Sequence, residues 1–236
     1  MTDVDPFESR PFVVSHVVTT LNGQGRGEFE TLPLAITAAA LSEEIRTAFQ
    51  APATLIDARQ LEEPIGPFLL PPPEPSADGR EATPHDGGYL VVLNLGEDPL
   101  PFDPLNPHAG ATLYRRLEVL SSTCPPAHVD QLEKQGIPHF QIEGEAPDLD
   151  LTRFLEVLRT NYGIDALVSI AGPEINSLLL RSGLTDELSL VVLPVVEAGA
   201  QTQNVFAATS NPLGPTTFTL VSAQALEDGI LWTRYR

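Results

Sequence analysis

The chain has 236 residues, 42% of them apolar, enough to bury a full hydrophobic core as one large domain or two small ones. Asp and Glu number 32 against 13 Lys and Arg, a net charge of −19, and a field of that sign repels nucleic acid and anionic lipid surfaces. The single cysteine, Cys124, excludes an internal disulfide and fits a reducing, cytoplasmic setting.

The opening residues, MTDVDPFESRPF, are acidic and lack the apolar segment of a secretory signal, and no run approaches the length of a membrane span. FVVSHVV, Phe12–Val18, is rich in β-branched residues and predicts the first strand, followed by a flexible glycine-rich loop, NGQGRG. Thr37 predicts the cap of a helix running to Gln50, with Leu41, Ile45, Ala48 and Phe49 along one face. Ala53–Ala58 predicts a short, nearly all-apolar strand of the kind buried on both faces of a parallel or mixed sheet. The proline-dense stretch Glu62–Gly88 predicts an extended excursion. Because the same pattern resumes after it, residues 62–88 are read as an insertion within a single domain, 1–236.

Gly88–Leu95 predicts the next strand, Pro99–Pro107 a second proline-rich loop, and Leu117–Thr123 another strand. AHVDQLEKQG predicts a short helix ended by Gly136, and PHFQIE a strand. DLTRFLEVLRTNYG predicts a helix with Leu151, Phe154, Leu155 and Leu158 on its buried face. DALVSIAG, PEINSLLLRSG and DELSLVVLPVV continue as strand, helix and strand, and TTFTLVSAQAL and GILWTRYR close the chain as an antiparallel pair. The alternation predicts an α/β domain: a mixed, mostly parallel central sheet, helices on both faces, and an antiparallel C-terminal edge.

Chemistry-bearing patterns are sparse. NGQGRG has the wrong spacing and context for a dinucleotide fingerprint. Cys124 and His128 are spaced like metal ligands but have no second pair nearby, so no metal is expected. His16 lies inside a strand and reads as a core or pocket-edge residue, and neither a G-x-S-x-G elbow nor a nucleophile–base arrangement is present. The absence of a His/Cys zinc pattern excludes a pyrimidine deaminase. What remains is the turn in SIAGPEINSLLLRSG. A strand ends there, Gly172 leaves the backbone bare, and Pro173 opens a helix whose N-terminus suits an anion.

AGPEINSLLLRSGLTDELSLVVLPVV resembles the C-terminal reductase domain of the riboflavin-biosynthesis bifunctional deaminase-reductases, in the dihydrofolate-reductase-like superfamily. The family pattern is a strand ending Glu-Gly-Gly-Pro, a helix, Gly-Leu-Val-Asp-Glu-Leu, and a strand ending Pro-Val. Gly172-Pro173, Asn176, Leu180-Arg181, Gly183-Leu184, Asp186-Glu187-Leu188 and Pro194-Val195 match it. PFVVSHVVTTLNG is similar to the family's first strand and its Ser-Leu-Asp-Gly turn, TLIDARQLEEP to its Gly-x-Gly-Thr…Asp-Asp-Pro segment, and GILWTRYR to its last strand. The resemblance implies a dihydrofolate-reductase-like three-layer domain. It also implies an NADPH-dependent reductase, with NADH as the other choice, resembling 5-amino-6-(5-phosphoribosylamino)uracil reductase and typically homodimeric. The substrate would be a small pyrimidine- or pterin-like heterocycle.

On that resemblance Ala171, Gly172, Pro173 and Glu174 meet the cofactor's pyrophosphate, and Ser121, Ser122 and Thr123 its adenosine ribose or phosphate. Thr20, Asn22, Gly23, Gln60 and Glu63 line the substrate side, while Asp186-Glu187-Leu188 serves the fold or a dimer. The sequence also departs from the pattern. Ile170 and Ala171 replace the family's Glu and first Gly, Asn22 its Asp, and Asp57, Arg59 and Gln60 its glycine-threonine segment. These departures define the alternative reading, a non-catalytic homodimeric ligand-binding protein of the same fold.

Overall fold

The central strands form where apolar, often β-branched runs must be covered. This computed structural model describes residues 9–62, 88–95, 114–144, 148–199, 203–207 and 214–236. In chain order the elements are β1 (Phe12–Thr20), β2 (Gln24–Arg26), α1 (Pro33–Ala48), β3 (Ala53–Asp57), β4 (Tyr89–Asn94), β5 (Arg115–Ser121), α2 (Pro126–Gln135), β6 (His139–Ile142), α3 (Leu151–Tyr162), β7 (Ala166–Ser169), α4 (Pro173–Arg181), β8 (Glu187–Leu193), β9 (Gln203–Asn204), β10 (Leu220–Ala225) and β11 (Leu231–Tyr235). Most of the proline-rich stretch 62–88, the second proline-rich loop, and Glu63, His85 and His108 lie outside the described residues.

The chain divides into two compact units, Met1–Pro11 with Pro52–Leu167, and Phe12–Ala51 with Val168–Arg236; β7 carries the chain from one into the other. In the first, β3, β4, β5 and β6 pair in parallel in that order. Every residue of β3 and β4 is buried, as expected of parallel strands covered on both faces. On α3, Leu151, Phe154, Leu155, Val157 and Leu158 form the buried stripe, and Asp150 caps the helix by accepting from the Arg153 amide at 2.9 Å. Each large apolar side chain so buried contributes about 1.5–3 kcal/mol. Leu132 of α2 packs with Leu120, Cys124 and Ile137.

In the second unit β1 runs parallel to β8, β8 antiparallel to β11, and β11 antiparallel to β10. α1 packs on β1 and β8, and its Ala38 and Ile45 join Phe29, Val191, Leu193 and Ile230 in one core cluster. Strand β10 is exposed along its whole length. The mixed, mostly parallel α/β class with an antiparallel C-terminal edge is therefore the one observed.

Two local expectations are corrected. Helix α1 begins at Pro33, not at a Thr37 cap, because proline pre-sets the first-turn φ and has no N–H to leave unpaired. Ala48, expected on its buried face, is exposed. The loop NGQGRG is not flexible coil throughout: Gln24–Arg26 form β2 and pair with β9 in a separate antiparallel ribbon. The partner strand lies far along the chain, where no local pattern points to it.

Candidate functional site

The turn ahead of α4 is built as the sequence suggests. β7 ends at Ser169, and Gly172 takes the N-cap position with φ −69° and no side-chain cap. That φ suits any residue, and a Cβ built on Gly172 meets none of the described residues within 4 Å. Among the described residues neither strain nor packing accounts for a glycine here; its effect is a bare backbone at a helix N-terminus. Pro173 fills the first helical position and Ala171 is buried. Glu174 is exposed on the first turn, so its negative charge sits beside the backbone donors that an anion would use. Two buried polar atoms close to this turn in sequence, Ser169 Oγ and Asn176 Oδ1, have no hydrogen-bond partner among the described residues. Bare backbone, a positive helix end and unsatisfied polar atoms fit a dinucleotide's pyrophosphate and ribose hydroxyls.

The first turn, Thr20 to Gln24, is cross-braced. Thr20 Oγ1 donates to Asn22 Oδ1 at 2.9 Å and accepts from the Gln24 amide at 3.0 Å. Asn22 Nδ2 donates to the Glu197 carbonyl, and the Glu197 amide donates back to Asn22 Oδ1 at 3.2 Å. The Glu197 carboxylate accepts from the Glu28 and Phe29 amides, both at 2.9 Å, capping the short 3-10 helix Glu28–Thr31. Thr20 and Asn22 thus spend hydrogen-bonding capacity on shaping the turn. Glu197 was not among the sequence-derived candidates, and nothing near it in the sequence signals its role.

The remaining candidates lie in the other unit. Gln60 Oε1 accepts the Asp57 amide at 2.8 Å, and Asp57 Oδ1 accepts from both the Arg59 amide and its Nε. Asp57 and Arg59 therefore neutralise one another, whatever coenzyme phosphate each would favour alone. Ser121 is buried and bonds Thr123 at 3.0 Å between their hydroxyls, while exposed Ser122 donates to the Gly144 carbonyl. The structure brings Thr20, Asn22 and Gly23 into one turn and Ala171–Glu174 into another, with Ser121–Thr123 at the end of β5 and Gln60 in a short 3-10 helix, Ala58–Glu62, both of the first unit.

Sequence reading missed the polar core beneath the Ser121–Thr123 loop. Glu118 is fully buried; its Oε1 accepts from His128 Nε2 at 2.6 Å and Asn94 Nδ2 at 3.0 Å, and its Oε2 binds Arg116 Nη2 at 2.6 Å. Charged residues two apart in an otherwise apolar strand, Arg116 and Glu118, were the available signal: buried charges must pair. His128, considered with Cys124 as a metal pair, is instead held by this carboxylate. Burial, and secondarily Glu118, pushes the Cys124 thiol pKa up, which makes it a poor nucleophile.

His16 is a core residue of the second unit. Its Nε2 lies 3.0 Å from the Ser42 carbonyl, which only accepts, so Nε2 carries the proton. Trp232 Nε1 donates to Ser189 Oγ, leaving that hydroxyl to donate to His16 Nδ1. Burial lowers the His16 pKa to about 4, which keeps the ring neutral. Asp186 and Glu187 also serve the fold: Asp186 accepts from the Val13 amide at 2.8 Å, and Glu187 binds Arg234 and Arg236.

In open α/β sheets, turns between a strand's carboxyl end and the following helix are where ligands commonly bind. The RibD C-terminal domain family matches residues 111–232, more than half of the chain, and the chain belongs to that family. No curated protein matches the sequence. Among solved structures, RibD of Acinetobacter baumannii is similar at a TM-score of 0.64 and 18% identity, covering 96% of this chain and 58% of that protein. A pyrimidine reductase-like protein from Corynebacterium diphtheriae gives a TM-score of 0.70 at 16% identity, covering 99% of this chain and 95% of its own. A riboflavin biosynthesis reductase from Saccharomyces cerevisiae gives 0.56 at 14% identity, with 100% and 92% covered. At these identities the likeness shows a shared fold, and the chain spans a little over half the length of the Acinetobacter protein.

Proposed function

We propose that this chain is an NAD(P)H-dependent reductase of a small nitrogen heterocycle, related in activity to the pyrimidine reductases of riboflavin biosynthesis. The observation that carries the reading is the open backbone at Gly172, which neither conformation nor packing requires, in a chain of the RibD C-terminal domain family. For Ser121, Ser122, Thr123, Gln60 and Glu63 a ligand role rests on the family resemblance alone. The backbone of Ala171–Glu174 would hold the pyrophosphate, and Thr20, Asn22 and Gly23 would shape the substrate side. Bound there, the reduced nicotinamide supplies a hydride to an electrophilic ring or imine carbon and leaves oxidised, while solvent gives the acceptor its proton. The protein's own part is binding and orientation, in keeping with a neutral His16 and a protonated Cys124. The family resemblance further suggests a cytoplasmic homodimer whose residues 1–236 act as one reductase domain.

The test uses Gly172→Asp with NADPH and NADH titrations followed by calorimetry. Aspartate fits the φ and the open space and is itself a good N-cap, so the fold is retained. Its carboxylate opposes a pyrophosphate, and a loss of about tenfold or more in affinity is expected, about 1.4 kcal/mol or more. Unchanged affinity in the variant removes this turn as the phosphate site. Failure of the wild-type chain to bind either coenzyme at millimolar concentration removes the reductase reading and leaves the ligand-binding one.

A further inference from the structure

The segment Gln203–Ala207 touches both turns of the second unit. At one end β9 pairs with β2, and the Val205 amide donates to the Gly23 carbonyl at 3.1 Å. At the other, the Ala207 amide donates to the Pro173 carbonyl at 3.2 Å, inside the first turn of α4. Two α4 side chains reach the same segment: Asn176 Nδ2 donates to the Val205 carbonyl at 3.4 Å and Ser177 Oγ to the Ala207 carbonyl at 3.3 Å. Both side chains are buried, and neither packs as an apolar residue would. Gly25 completes the contact: a Cβ there would lie 2.9 Å from Val205 Cγ1, so β2 approaches the segment closely only because residue 25 lacks a side chain.

We propose that Gln203–Ala207 is a strap that transmits order between the first turn and the turn ahead of α4, with Asn176 and Ser177 as its positioning residues. Val205 is the central link. Its amide is bound to the first turn and its carbonyl to α4, so releasing either end loosens the other. A ligand that favours one arrangement of these contacts shifts their population by as much as its differential affinity allows. A dinucleotide seated at the N-terminus of α4 fixes Pro173, Asn176 and Ser177, and through the strap it fixes Gly23 and the substrate-side turn. Coenzyme and acceptor binding then favour one another through the strap. This consequence rests on the reductase reading; the mechanical link between the turns does not.

The experiment is amide hydrogen exchange on the full chain, read at Val205 and Ala207, in wild type, Gly25→Ala, Ser177→Ala and Ser177→Thr, with and without NADPH. Without coenzyme, Gly25→Ala is expected to speed exchange at the far Ala207 amide, and Ser177→Ala at the Val205 amide, each by about tenfold. Ser177→Thr, which keeps the hydroxyl, restores wild-type exchange. NADPH slows exchange at both amides in wild type, and Gly25→Ala, remote from α4, weakens NADPH binding about tenfold with little change in Tm. If each substitution affects only its own end, or neither affects any strap amide, the strap is no link and the proposal is overturned. If Gly25→Ala fails to fold, the two Ser177 variants decide the question from the other end. If wild type does not bind NADPH, the reductase reading fails while the exchange pattern still decides the link.

Discussion

Glu118 and Glu187 are both fully buried carboxylates with basic partners, one in each unit, and they solve the cost of burial differently. Glu118 is matched from within: Arg116 and His128 have side chains only 4% and 2% exposed, and Asn94 completes the set. Glu187 is matched from the surface by Arg234 and Arg236, 27% and 56% exposed, on the C-terminal strand and just beyond it. An interior network cannot recruit water when a member is lost, whereas a surface arginine can turn outward. His16 shows a third solution, staying neutral by a lowered pKa. The polar core of the first unit is therefore brittle, and that of the second is tolerant.

The largest effect expected is for Glu118→Gln, which removes the buried carboxylate paired with buried Arg116 and His128 and costs about 3–5 kcal/mol in urea unfolding. A loss below about 1 kcal/mol would collapse the contrast between the units. Next is the acid response of His16. The unfolded ring titrates near 6.5 and the folded ring near 4, so the unfolded chain binds more protons between these values. Stability contributed by neutral His16 is complete above pH 6.5, falls as pH drops toward 4, and by then is reduced by up to about 3 kcal/mol. Unfolding of wild type and His16→Gln at pH 7 and 4.5 isolates it: the variant must lose less on acidification. Glu187→Gln is expected to cost about 2 kcal/mol, because its arginines regain water. Arg236→Ala, at the most exposed contact, should cost no more than about 1 kcal/mol and less in high salt; a larger, salt-independent loss would place this pair with Glu118.

Local physics made much of the fold legible. β3 and β4 are nearly all apolar and read as covered strands; α2 and α3 carry their own stop signals in Gly136 and Gly163, both left-handed. Pro33 was as visible as Thr37, and a proline at the first position outweighs a threonine that can serve equally in mid-helix. The turn at Gly172 was legible because its elements are contiguous. The first turn was legible only in part: Thr20, Asn22 and Gly23 were noticed, but their partner Glu197 is distant in sequence and has no distinguishing neighbours.

By itself the sequence determined the order and type of the main elements, the family resemblance, and a glycine turn ahead of a proline-started helix, since each depends on residues close in the chain; the β2–β9 ribbon was not among them. Only the tertiary structure decided which polar residues are consumed in shaping turns, where the buried carboxylates find their cations, and that Gln203–Ala207 joins two turns. These depend on hydrogen bonds between groups far apart in the chain, whose donors and acceptors are common to every residue and carry no mark in the sequence.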